Sequence, residues 1–260
     1  VARITWLIEE SFCNQMMQAL YVCPVKETID GFLSWLADLP LETLEHFRQD
    51  GASMPKASPA VDLERQRFLT ISLISEWNEL YFASVDPVVL AGLQREAEVR
   101  RLAAQRSDPA DAVEAATQGV RYEPKRPPEC VLLVPQWHFR PWNIYGDYGQ
   151  FYMFHYPADA IPAPFDDIPL SLLRLTRALG DESRLRMLRS LAEQSRSFTD
   201  LVTLTGLSKS TVNHHTVMLR AAGLITVHVR GGRSDVYSLR EQSLLDLDSR
   251  LRTYLHGGGS

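Results

Sequence analysis

Four prolines, Pro157, Pro162, Pro164 and Pro169, fall within the stretch HYPADAIPAPFDDIPL. Each lacks a backbone N–H and restricts the residue before it, so no helix or strand is expected to run through this stretch. It divides the chain into two expected domains, 1–165 and 166–256, followed by GGGS at 257–260, a flexible tail that is native or appended. At 260 residues the chain is long enough to bury two ordinary cores. The two sides differ in charge. Residues 1–166 carry 14 Lys and Arg against 23 Asp and Glu, a net −9, whereas from Asp167 onward 13 oppose 9, a net +4. The overall −5 therefore hides a basic C-terminal part, where a polyanion partner is expected.

Before the prolines, ITWLIEESFCNQMMQALYV, VKETIDGFLSWLADL, VDLERQRFLTISLISEWNELYF, PVVLAGLQREAEVRRLAAQ and DPADAVEAATQGV space apolar residues three or four apart. That is the helical period, and Asp, Thr or Pro near the starts supplies caps. After YEPKRPPE the period changes. CVLLVP and QFYMFHYP are short β-branched or aromatic runs around Gly146 and Gly149, as expected of a hairpin or small sheet. The expected fold is mainly α with small antiparallel β elements: a helical N-terminal domain with its hairpin, then a C-terminal domain of helices with a second hairpin. WHFRPWNIYGDYGQFYMFHY is far richer in aromatic residues than the chain's 9% average. Either one face of the hairpin packs on the helices, or it lines a cavity for a small organic effector; both are compatible. The candidates for ligand contact are Trp137, His138, Trp142, Tyr145 and Tyr152.

The apolar runs are far shorter than the roughly 20 residues that span a bilayer, and no signal-peptide pattern opens the chain, so a cytoplasmic protein without membrane partners is expected. Cys13, Cys23 and Cys130 form no CxxC pair. No nucleophile elbow, Gly-rich phosphate loop, HExxH or paired-carboxylate motif is present, so neither catalysis nor a cofactor is expected. An N-terminal protein-interaction module is the alternative to a sensor.

Past Pro169 the order is helix, helix, short helix, helix, hairpin, helix. SLLRLTRAL stops at Gly180, and Asp181 can cap the next helix, which carries Leu185, Leu188 and Leu191. FTDLVTLTGLS gives a short helix and a turn at Gly206, and Ser208 can cap the helix that follows, so a winged helix-turn-helix is expected here. In that helix Val212, His215, Thr216 and Leu219 fall on one face and Ser210, Asn213, His214 and Val217 on the other. A helix that enters the major groove reads bases with its N-terminal side chains, a task suited to Lys209, Ser210, Thr211, Asn213 and His214. ITVHVRGGRSDVYSL then alternates around Gly231 and Gly232. Arg230 and Arg233 bracket this tip, where a wing reaches phosphate or the minor groove. REQSLLDLDSRLRTYL presents Leu244, Leu247, Leu251 and Tyr254 as an apolar seam for a second copy.

ALGDESRLRMLRSLAEQ, LVTLTGLSKSTVNHHTVMLRAAGLI and VRGGRSDVYSL together resemble the ArsR family of bacterial winged-helix regulators, over about the last third of the chain. The resemblance implies that the helix with the paired histidines contacts DNA through Ser210, Thr211, Asn213 and His214. It also implies that the first and last helices of the domain form a homodimer, which adds Leu172 and Leu175 to the interface. The sequence departs from the family's usual pattern at Thr216 and Val217. A repressor that occupies an inverted-repeat site on double-stranded DNA is the expected function. No metal is expected: His214 and His215 point about 100° apart on a helix, whereas two ligands of one metal need i, i+4. No cysteine follows Cys130, and Asp246, Asp248 and His256 suit a solvated helix face.

Overall fold

The computed structural model of the chain describes residues 10–25, 27–49, 62–123, 130–161, 168–230 and 235–256. The wing tip with Gly231, Gly232 and Arg233, the connector around Pro162 and Pro164, and the terminal GGGS lie outside the described residues. No described helix is long and apolar enough to cross a membrane.

The described residues fall into two compact units. The described residues of 1–90, 128–130 and 146–153 form one, and those of 91–127, 131–145 and 154–260 form the other. The first unit is chiefly helical, with α1 (Glu10–Val22), α2 (Ile29–Asp38), α3 (Leu41–Gln49) and α4 (Leu63–Leu80). Thr28 caps α2 by accepting a hydrogen bond from the Gly31 N–H at 3.1 Å, and Asp62 caps α4 through the Arg65 N–H at 3.0 Å. Ala19, Cys23, Phe32, Leu33, Leu36, Leu44 and Phe47 form the core. Tyr21 stacks on Phe151 with ring centroids 4.4 Å apart. Short α3 was not evident from the periodicity, because its nine residues hold only two turns and a half of pattern.

A 3₁₀ turn at Phe82–Ser84 leads to α5 (Pro87–Ala104) and α6 (Pro109–Thr117), the latter capped by Asp108 with Pro109 in its first turn. Four strands follow: β1 (Val120–Glu123), β2 (Cys130–Gln136), β3 (Ile144–Asp147) and β4 (Phe151–Pro157). The last three make a sheet of order β2-β4-β3. Then come α7 (Leu170–Leu179), α8 (Glu182–Glu193), β5 (Arg196–Ser197), α9 (Phe198–Thr205), α10 (Lys209–Ala221), β6 (Ile225–Arg230), β7 (Val236–Leu239) and α11 (Glu241–His256).

The second unit departs from the expected architecture in one way. Its four-stranded sheet has the order β1-β6-β7-β5, and β1 runs parallel to β6, with Val120 opposite Val227 and Glu123 opposite Arg230. A strand from before the prolines thus extends the sheet of the winged segment, so the sheets are mixed and not wholly antiparallel. Gly119 makes the junction possible. Its φ is +126°, and a Cβ there would lie 2.6 Å from the Ile225 carbonyl oxygen. At that close approach the Val227 N–H donates to the Gly119 carbonyl at 2.7 Å. The core of the winged part gathers Leu175, Ala178, Met187, Leu188, Leu191, Leu201, Val212, Leu219, Leu224 and Ile225.

Candidate nucleic-acid interface

Helix α10 is set by its ends. The preceding α9 opens with a capping box in which Ser197 and Asp200 satisfy each other's backbone N–H groups, and it stops at Gly206, whose φ of +65° is left-handed. Ser208 then caps α10 through the Thr211 N–H at 3.2 Å, and its hydroxyl lies 2.8 Å from those of both Ser210 and Thr211. Three hydroxyls are thereby held together at the start of the helix, where the dipole and free N–H groups favour an anionic neighbour.

One face of α10 is closed: Val212 and Leu219 are fully buried, and His215 and Thr216 nearly so. The other face is open, with Lys209, Ser210, Asn213 and His214 exposed and Thr211 half-buried. His215 is thus a core histidine. Its Nδ1 lies 3.4 Å from Arg184 Nη1, and Arg184 also donates to the carbonyls of Ala178 at 2.7 Å and Arg177 at 2.9 Å. Burial, opposed by the Asp181 carboxylate, lowers the His215 pKa, and the neutral ring can accept from the guanidinium. This cluster ties the end of α7, the start of α8 and the middle of α10 into one joint.

The remaining candidates divide. Arg230 sits at the end of β6 with its Nε 3.4 Å from Glu123 Oε2, near enough for charge pairing but too poorly aligned for a hydrogen bond. A base expected to face DNA is therefore partly neutralised by β1, a partner invisible to any local reading of the wing. Leu172 and Leu175 are 3% and 0% exposed, so their own domain already covers them and a second copy has nothing of theirs to bury. On α11, Leu244, Leu251 and Tyr254 are exposed, and so are Leu245 and Leu255, which the seam did not include. Leu247 packs partly on the domain's own core. The Asp246 and Asp248 carboxylates on that helix pair with Arg250 at 3.6 Å and Arg252 at 2.8 Å.

The five aromatic-stretch candidates do not form one set. Tyr152 is buried in β4 and belongs to the first compact unit, whereas Trp137, His138, Trp142 and Tyr145 belong to the second. His138 and Trp142 are exposed, and the Arg140 guanidinium lies 5.0 Å from the Trp137 ring centre. Tyr145 packs 5.8 Å from Phe154, and the Arg220 guanidinium in the last turn of α10 acts on its hydroxyl electrostatically. Burial raises the Tyr145 pKa, keeping the hydroxyl protonated. The charge of that helix is thus felt on β3, a link that no sequence signal announced.

Residues 181–227 match the bacterial regulatory protein arsR family. A transcriptional repressor SmtB homolog from Synechocystis sp. is 35% identical over 78 residues, which cover 30% of this chain and 58% of that relative. Among solved structures, NolR from Sinorhizobium fredii is 24% identical, with a TM-score of 0.28, over 35% of this chain and 88% of its own. Reduced HlyU from Vibrio cholerae is also 24% identical, with a TM-score of 0.27, over 34% and 90%. Residues 181–227, from Asp181 at the cap of α8 to Val227 in β6, form a helix-turn-helix domain of the arsR family.

Proposed function

We propose that the protein is a transcriptional regulator that binds an inverted-repeat site on double-stranded DNA as a homodimer and represses by occupying it. The observation that carries this reading is the open start of α10: Lys209, Ser210, Asn213 and His214 stand exposed on a helix whose opposite face is locked into the core. The arsR match over the same residues and the repressor among the relatives support it. Lys209 supplies charge for phosphate, and the hydroxyl, amide and imidazole groups supply donors and acceptors for base edges. Dimerisation uses the exposed apolar row on α11. Two copies would set their α10 helices about one DNA turn, roughly 34 Å, apart.

The part of the chain outside the arsR match is the regulatory part and responds to a small molecule. Its size supports this reading, since such domains usually carry their own core and task. A protein-docking role for the first unit is the second reading, favoured by Phe68, Trp77, Leu80 and Tyr81, which stand exposed along and just after α4.

The test is selection of bound sequences from random duplex DNA by the full chain, followed by sedimentation of the protein with and without Leu251→Glu. A selected inverted repeat, and a dimer that the substitution dissociates, support the proposal. If no motif is enriched, sequence-specific recognition fails; if Leu251→Glu leaves the mass unchanged, the α11 interface fails.

A further inference from the structure

The outer face of the winged sheet is not an open surface. Thr226 and His228 of β6 and Ser238 of β7 form the floor of a groove of about 650 Å³, walled on one side by α6 and β1 and on the other by the first turn of α11. That size lies within the range of small-molecule sites, about 300–1,000 Å³, but the lining is far more polar than is usual for them. The ligand that fits such a lining is hydrophilic.

The two walls differ in charge: Asp111 and Glu114 outnumber Arg121 on one, while Arg240 stands beside Glu241 on the other. On α6, Glu114 accepts from Arg121 Nη1 at 2.8 Å with one carboxylate oxygen and from the Thr226 hydroxyl at 3.0 Å with the other. Arg121 also lies 3.3 Å from Asp111. Two carboxylates thus share one guanidinium, and this wall keeps a net negative charge. Across the groove, Arg240 is held by its Nη1, which donates to the Ser243 hydroxyl at 2.6 Å and the Gly223 carbonyl at 3.3 Å. Among the described residues no carboxylate forms a close ion pair with this half-buried guanidinium, although Glu114 and Asp246 attract it from further off. His228, bonded to Ser238 at 2.9 Å, lies on the floor between them, and burial lowers its pKa so that it adds hydrogen bonding without charge.

We propose that this groove binds a small hydrophilic zwitterion of the amino-acid type, its carboxylate on Arg240 and its ammonium on the Asp111–Glu114 wall. A guanidinium takes a carboxylate by two parallel hydrogen bonds, and the shared carboxylates opposite lack one cation. Arg240 is tied to Gly223, just past the end of α10, and stands at the start of α11. A ligand drawn onto it acts on both helices. That regulatory consequence rests on the effector control proposed above; the binding does not.

The experiment is calorimetric titration of the full chain with each of the protein amino acids, up to about 10 mM, beside acetate and ethylammonium as the two half-ligands. At least one amino acid is expected to give saturable heat that neither half-ligand gives. Arg240→Gln should weaken it about tenfold or more. Ala115→Trp, which adds bulk to the groove from α6 and keeps every charged side chain, should do the same with an unchanged melting temperature. No saturable heat from any amino acid overturns the inference, as does undiminished binding by both variants, and acetate binding as tightly as the amino acid leaves only an anion site and overturns the zwitterion. The selected DNA site separates the two proposals. An amino acid that binds in the groove without altering DNA affinity leaves the site standing and removes its regulatory role. DNA affinity that responds to a cell extract while no amino acid binds leaves effector control standing and removes the groove.

Discussion

Strand β4 and helix α10 differ in what they leave outside. In β4, Phe151, Tyr152, Met153, Phe154 and Tyr156 are all buried, so side chains on both faces of the strand belong to packing. Helix α10 closes one face with Val212, His215, Thr216 and Leu219 and leaves polar side chains in water along the other. The density of aromatic residues that suggested a ligand cavity is, at β4, the density of a core strand. The modest residues at the start of α10 are the ones for which the fold has no need. Chemistry left exposed beside a rigid face is a better pointer to function than concentrated hydrophobic bulk.

The sharpest way to break this comparison is to cut into β4. Phe154 meets Tyr122 edge-on at 5.6 Å and Tyr145 at 5.8 Å, and it is 1% exposed. Phe154→Ala should cost about 3–5 kcal/mol in urea unfolding, the loss of a fully packed aromatic ring. A loss under about 1 kcal/mol would mean that β4 is not the core strand described, since a site that collapses so readily was never tightly packed.

A smaller effect is expected where β1 joins the winged sheet. Gly119→Ala places a Cβ against the Ile225 carbonyl in a backbone conformation that side chains rarely adopt, and it should destabilise the chain by about 1–3 kcal/mol. Hydrogen exchange at the Val227 amide, which donates to Gly119, checks the location: exchange should quicken there first. An unchanged amide would contradict the β1–β6 pairing.

The smallest effect is the pH dependence. Burial lowers the pKa values of His155, His215 and His228 below the ordinary 6.5, so the unfolded chain binds protons that the folded one refuses. Stability is then full above pH 6.5 and declines as pH falls below it, towards the depressed folded values. Unfolding midpoints measured from pH 7.5 to 5.5 should fall with pH, and less steeply in His215→Gln. The same slope in that variant would show that His215 titrates normally and sits outside the core.

Much of the winged domain was legible because its signals are local. Asp181, Gly206 and Ser208 each sit at a helix end and act within three residues, and the inward face of α10 follows from a period of 3.6. What was not legible is non-local. Val120–Glu123 is four residues long and pairs with a strand more than a hundred positions later, so no periodicity marks it, although the left-handed Gln118 and Gly119 after α6 mark a helix end. The same gap hid Glu123 beside Arg230 and Tyr145 beside Arg220. Leu172 and Leu175 enter the expected interface through the family resemblance, and their own sequence pattern cannot correct it, because an apolar helix stripe looks alike whether its own domain or another copy covers it.

The central claim is that the open face at the start of α10 reads DNA while its closed face only holds it in place. The most direct measurement is the affinity of the Ser210→Ala, His214→Ala double variant for the selected site and for unrelated duplex DNA, by fluorescence anisotropy at several salt concentrations. Both side chains are exposed, so the melting temperature should not move. Specific affinity should fall by about 1–3 kcal/mol for each base that is no longer read, while binding to unrelated DNA and its salt slope stay the same, because Lys209 and the other bases are untouched. Undiminished affinity for the selected site across the salt series would contradict the claim.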